Sequence, residues 1–354
     1  MTSPATPAPM EGGGAYNRNS RVQASGLAPA IDWFAEAAAA APTEGSGPVF
    51  IADYGCSEGL NSLAPVAAAI AALRPRIGPA RAISVLHTDL PGNDWGALFG
   101  LLDADPGSYL APNVFPAAIG RSFYGQILPA ASVALGWSSW ATQWLSRIPG
   151  PIPDQVQVAF SRDPAARAAY AAQADADWRA FLAARAAELV PGGRLVVLTM
   201  ARDAGGDFGY GPLLAALYAA LGDLVAEGLV RPEEKARMAI PTVGRGAAEL
   251  AAPFADGGAP GLGLVRLEVF AAEDRIWADY AASGDAAAFG DRWASFSRAS
   301  VFPTLAAALE GPEAPARRTA FVARLTAGLA ARLAAAPVPM KIPLARMEIL
   351  RDPA

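Results

Sequence analysis

The segment IADYGCSEGLN (51–61) holds the residues whose types and spacing could do chemistry. An apolar run leads into Asp53, and Gly55 and Gly59 then precede a helical pattern begun by Asn61. Glycines at such a turn let the backbone bend tightly and approach a ligand at the open end of a strand. The spacing is G-x-x-x-G, which departs from the dinucleotide fingerprint G-x-G-x-x-G. A second apolar run, ISVLHTD (83–89), ends on Asp89, where a carboxylate can accept both hydroxyls of a ribose. Asp53 alone reads equally well as a turn carboxylate capping the next helix. Two acidic strand ends together, followed by LVPGGRLVV (189–197) as helix, turn and strand, point to a nucleoside ligand.

Other chemistries lack their residues. His87 is the sole histidine and Cys56 the sole cysteine, which excludes histidine triads, zinc clusters and intrachain disulfides. His87 reads as a buried, hydrogen-bonded core residue, and Cys56 as a small packing residue with no Lys or His nearby to activate its thiol. Lys235 and Lys341 are the only lysines and the net charge is -5, so neither a nucleic acid nor a polybasic membrane contact is expected. With 53% hydrophobic and 17% charged residues among 354, the chain can bury a large core. It shows no signal-peptide pattern and no membrane-length apolar run, and reads as a cytoplasmic protein.

The elements that must position these residues alternate. Strands are expected at 49–55, 83–89, 132–138 and 194–202, with helices over 26–41, 61–74, 94–102, 141–146 and 163–190 between them. That alternation predicts an α/β fold, a mostly parallel sheet with helices on both faces. Residues 207–256 and 289–336 read as helical, and 262–270 and 340–350 as two more strands. The helical inserts are expected to cap the carboxyl end of the sheet. On the predicted helix at 141–146, Trp137, Trp140 and Trp144 would share one face, which by pattern alone is a core stripe.

The run from Asp53 also matches the D-x-G-x-x-x-G pattern of methyltransferases that use S-adenosylmethionine (SAM), and from there the resemblance becomes specific. GGGAYNRNSRVQ, IADYGCSEGLN, HTDLPGNDWGALF, RSFYGQILPAASV, SSWATQWLSRIP and the segment from LLAALYAAL to ARMAIP follow one another in the order of the SABATH family. That family comprises the plant salicylate, benzoate, jasmonate and caffeine-type methyltransferases. The resemblance implies a class I SAM-dependent methyltransferase fold with a helical cap. It divides the chain into an N-terminal segment closing over the SAM site (1–25), a Rossmann-like core (26–206), a cap (207–261), a strand region (262–288), cap or core helices (289–336) and a terminal strand (337–354).

Carried over residue by residue, the resemblance assigns Tyr16, Ser20, Asp53, Gly55, Cys56, Asn61, Asp89, Leu90, Ser122 and Phe123 to SAM, with S-adenosylhomocysteine (SAH) as product. It implies that Gln23 and Trp144 present an amide and an indole N–H to a substrate carboxylate, with Trp140, Gln143 and Gly211 around the substrate. A carboxylate is already deprotonated near neutral pH, so positioning at roughly 3 Å suffices and no general base is needed. Trp140 stands where relatives commonly have tyrosine, and Gly211 falls where some carry an aromatic wall, which would widen the pocket. A metal-holding asparagine of some members is missing from ARMAIP, so no metal is expected. The implied reaction is transfer of a methyl group to a small apolar acid. N-methylation of a heterocyclic or secondary amine is the alternative, and a nicotinamide enzyme or a non-catalytic SAM-binding protein are the other classes. The Ala-, Gly- and Arg-rich composition suits bacterial secondary metabolism. A homodimer is implied by resemblance alone.

Overall fold

The computed structural model describes residues 10–14, 17 and 26–353. The described residues form seven strands: β1 (Val49–Tyr54), β2 (Ile83–Asp89), β3 (Val114–Gly120), β4 (Val133–Ser139), β5 (Leu189–Met200), β6 (Leu262–Ala271) and β7 (Pro343–Arg351). They form one sheet in the order β3-β2-β1-β4-β5-β7-β6. The first five strands in that order run parallel, and β7 inserts antiparallel between β5 and β6. The order reverses between β1 and β4, so their carboxyl ends diverge and open a crevice, the usual ligand position in such sheets.

Helices cover both faces. On one, α1 (Ala28–Ala40) lies beside α2 (Leu60–Ile77), with Phe34 packed on Trp137 of β4 at 4.9 Å. α3 (Trp95–Ala104) follows β2, and the Asp94 carboxylate caps it by accepting from the Ala97 N–H. On the other face, α4 (Pro164–Glu188) buries Trp178, Phe181 and Leu182 against Leu195 and Val197 of β5. The helices α5 (Gly211–Ala226), α6 (Pro232–Lys235) and α7 (Ala247–Ala255) follow β5. After β6 come α8 (Arg275–Ser283), α9 (Ala286–Ser300), α10 (Phe302–Ala306) and α11 (Ala314–Ala335). α5, α9 and α11 share an apolar core built from Leu213, Leu217, Trp293, Phe321 and Leu325. No described helix is long and apolar enough to cross a membrane.

Four expectations need correction. β3 was not anticipated, because VFPAAIG carries Pro116 and is partly exposed; an edge strand tolerates a proline that a central one would not. α8 lies in the strand region given as 262–288, beyond the strand read at 262–270, which β6 reproduces. Residues 141–146 do not form a helix: they make a turn, Trp144 enters an isolated bridge with Thr242, and Trp140 takes a positive φ of 55°. The tryptophan stripe therefore does not exist: Trp137 packs on Phe34, while Trp140 and Trp144 sit together around a cavity. Finally, α4 stops at Glu188, and the residues read as its terminator already belong to β5, where the pairing with β4 shifts register between Val133 and Leu135.

Candidate functional site

β1 delivers Asp53 and β2 delivers Asp89 to one crevice, and the loop Gly55–Gly59 runs between them. Gly55 has φ of 89°, and a Cβ there would collide with Ala141 and stand 3.4 Å from the Phe123 ring. Only glycine permits that turn and that approach. The amides of Gly55 and Cys56 both donate to the Thr88 carbonyl, at 2.8 and 3.0 Å, locking the loop onto the end of β2.

The two acidic ends have different tasks. Asp53 is fully buried, and its Oδ2 accepts from the Ser62 hydroxyl at 2.6 Å and pairs with His87 Nδ1 at 2.8 Å. His87 Nε2 meets the Tyr109 hydroxyl at 2.6 Å, so imidazole and carboxylate satisfy one another inside the sheet. Asp53 thus fastens α2 to β2 through side chains; it does not cap the helix, whose N-cap is Gly59 with no side-chain bond. Asp89 sits at the half-buried rim. It accepts from the Ser57 and Leu90 amides, each at 2.7 Å, which leaves lone pairs on both oxygens for other donors. Burial pushes its carboxyl up to about 6; the two amides pull it down, and nearby Asp53 raises it further.

Cys56 is buried, and that burial together with Asp89 and Asp53 raises its thiol well above the ordinary value, so it stays protonated and unreactive. Donor atoms of Asp53, Cys56 and His87 lie within 4.8 Å of one another, the arrangement a metal could use. Here the carboxylate and imidazole are spent on each other, on Ser62 and on Tyr109. Asn61 stands in the first turn of α2, half-buried beside the loop.

Phe123 faces Gly55 across the crevice and packs edge-on against Phe181 at 5.6 Å, while Ser122 is exposed. Their loop is held from α4 by a buried ion pair. Arg185 donates to the Phe123 and Gly125 carbonyls, and Glu188 accepts from the Ile127 and Leu128 amides. Fully buried charges are rare unless paired; these two lie three residues apart, but the backbone groups they bond at 123–128 are distant in sequence, so neither residue announced itself. Glu58 was also missed. Its buried carboxylate accepts from the amides of Gly14 at 2.8 Å and Asn17 at 2.9 Å, tying the N-terminal chain to the crevice loop. Tyr16, Ser20 and Gln23 lie outside the described residues.

A cavity of about 70 Å³ adjoins the turn after β4. Trp140, Gln143 and Trp144 line it together with Met200, Phe208, Tyr210 and side chains of α5 and α9. Tyr124 donates to the Trp144 carbonyl, and the buried Arg245 donates to the Thr142 carbonyl at 2.8 Å, so the turn is fixed from two sides. Gln143 bonds the Trp140 carbonyl and the Thr199 hydroxyl. Gly211 does not line this cavity; a Cβ there would face Phe160, and Tyr210 forms the wall instead. The expected widening at Gly211 is thus absent. No charged residue lines the cavity among the described residues.

The chain is 28% identical over 241 residues to methyltransferase FUS9 of Gibberella fujikuroi, a match covering 67% of this chain and 64% of that protein. Indole-3-acetate O-methyltransferase 1 of Oryza sativa subsp. japonica is 30% identical over 65% of each chain. Salicylate carboxymethyltransferase of Clarkia breweri is 32% identical over 54% of this chain and 55% of that one. The chain thus spans less than two thirds of the length of these relatives. In fold it superposes on loganic acid methyltransferase with SAH at a TM-score of 0.79 and 21% identity, covering 97% of this chain and 99% of that one. The model of the SAM dependent carboxyl methyltransferase family matches residues 7–316, and the chain belongs to that family.

Proposed function

We propose that this protein methylates the carboxylate of a small, largely apolar or aromatic acid, releasing a methyl ester. The observation that carries the reading is a contact. Gly55 of the crevice loop packs on Ala141, in the turn that also carries Trp140, Gln143 and Trp144. A nucleoside held at Asp89 would therefore have its far end beside an apolar cavity.

The residues fit SAM. Asp89 would take the two ribose hydroxyls, the Phe123 ring would lie against the adenine, and Asn61, with Tyr16 and Ser20, would hold the methionine end. When bound, SAM supplies an electrophilic methyl group on a positively charged sulfur. A carboxylate in the cavity needs no base, and His87 is committed elsewhere. Trp144 and Gln23 would offer the N–H groups that orient one carboxylate oxygen. The uncharged wall supports acid over amine. Anion and sulfonium cancel each other's charge in a low-dielectric space, whereas a neutral amine would leave the sulfonium charge uncancelled with no described carboxylate beside it.

The names of the plant relatives, salicylate and indole-3-acetate methyltransferases, support an aromatic acid. A role in secondary metabolism, a cytoplasmic location and assembly as a homodimer belong to the same reading. The test is incubation with methyl-labelled SAM and a panel of acids and amines. Label released as methanol by alkali identifies an ester; label held on nitrogen, or no transfer at all, removes the proposal.

A further inference from the structure

Two side chains that line the cavity each carry a buried polar atom with no hydrogen bond. The Trp140 indole Nε1 and the Tyr210 hydroxyl are both buried and unpartnered, in side chains 6% and 2% exposed. Tyrosine and tryptophan ordinarily find a partner when buried, because desolvating an O–H or N–H without one is unfavourable. Apart from the Trp144 indole, which the proposed reaction uses, the other polar side chains of the described wall are engaged within the protein. Gln143 bonds Trp140 and Thr199, Gln157 bonds Thr242, and the hydroxyls of Ser297 and Ser300 bond carbonyls of their own helix. What remains is hydrogen-bond donation. Indole nitrogen can only donate, and burial raises the Tyr210 hydroxyl above its ordinary pKa, which keeps its proton in place.

Tyr210 is also held in one position. It is the residue before α5, with φ of 62°; its amide donates to the Lys341 carbonyl, and its ring packs on Phe208 at 5.8 Å and Trp293 at 6.3 Å. A hydroxyl fixed this firmly without a partner suits a ligand atom better than a mobile one.

We infer that Tyr210 is a specificity-determining residue: its hydroxyl, with the Trp140 indole N–H beside the same cavity, receives a hydrogen-bond-accepting oxygen on the body of the acceptor molecule, separate from the carboxylate that is methylated. The acceptor is then an oxygenated acid, with a carbonyl, hydroxyl or ether on its apolar frame, rather than a plain hydrocarbon acid. This inference rests on the proposed function for the assignment of the cavity to the acceptor.

Binding tests it separately from turnover. Matched pairs of acids, such as cyclohexanecarboxylate with 4-oxocyclohexanecarboxylate and phenylacetate with 4-hydroxyphenylacetate, are titrated calorimetrically into SAH-loaded wild type and Tyr210→Phe. Tyr210→Phe removes an oxygen that bonds nothing, so it should melt at or above the wild-type temperature and bind SAH unchanged. In the wild type the oxygenated member of at least one pair should bind roughly tenfold or more tightly, because a site built to bond an oxygen rejects the analogue lacking it. In Tyr210→Phe that preference should collapse, with the bare acid unaffected. No preference in any pair, or one that survives in Tyr210→Phe, overturns the inference. A Tyr210-dependent preference among acids that are never methylated would remove the proposed reaction and leave the role of Tyr210 standing.

Discussion

At the crevice, nearly every described group that could meet a nucleoside comes from residues 53–93 and is fixed by the backbone: Gly55 by its φ, Asp89 by two amides, and the loop by the Thr88 carbonyl. The cavity beneath the cap is assembled from side chains at 10, 140–144, 157, 200–217, 240–242 and 296–301, which meet only in the folded chain. The crevice is thus dictated by local sequence, and the cavity by tertiary packing. Binding one invariant nucleoside needs the former, and choosing among acceptors suits the latter.

Substitutions should separate the two regions. The largest effect is expected from Asp89→Ala, which removes two charge-assisted hydrogen bonds of about 1.5–3 kcal/mol each. SAH affinity measured by calorimetry should fall at least 100-fold, while acceptor selectivity in the residual activity stays as it was. Trp144→Phe should do the reverse, lowering kcat/KM roughly 10- to 100-fold through lost orientation while SAH binds normally. Equal losses of SAH affinity in both variants would erase the division between the regions. Glu58→Ala frees the Gly14 and Asn17 amides and should weaken SAH binding by about tenfold, a loss of about 1.4 kcal/mol. The smallest effect concerns Cys56. With its thiol held protonated, the native protein should resist alkylation by iodoacetamide at neutral pH, and rapid labelling would show the crevice floor to be more open than described.

Legibility in the sequence followed the same line. The strand–glycine–helix turn at 53–61 and the acidic end of β2 are short-range patterns, and they fold where the spacing placed them. Trp144, named by resemblance, lines the cavity but was set on a helix that does not form, because its conformation comes from a bridge to Thr242 almost a hundred residues away. Glu58, Arg185 and Glu188 were illegible, since a charged side chain looks solvent-bound until its buried partners are known. Tyr210 was passed over for its neighbour Gly211, because the sequence does not reveal which of two adjacent residues at the start of α5 faces the cavity.

The grip of Asp89 on a ribose can be read most directly from protons. Its folded pKa of about 6 lies above the unfolded value of 3.8, so the protonated form contributes stability that is complete below the lower value and is lost as pH rises through about 6. Binding a ribose has the opposite sign, because its hydroxyls donate to the ionised carboxylate and lower its pKa. Calorimetric titration of SAH at pH 6, in buffers of different ionisation enthalpy, should therefore release about half a proton per SAH bound, and the release should vanish in Asp89→Asn. Binding with no proton release, or a release that persists in Asp89→Asn, would contradict the assignment of Asp89 to the ribose.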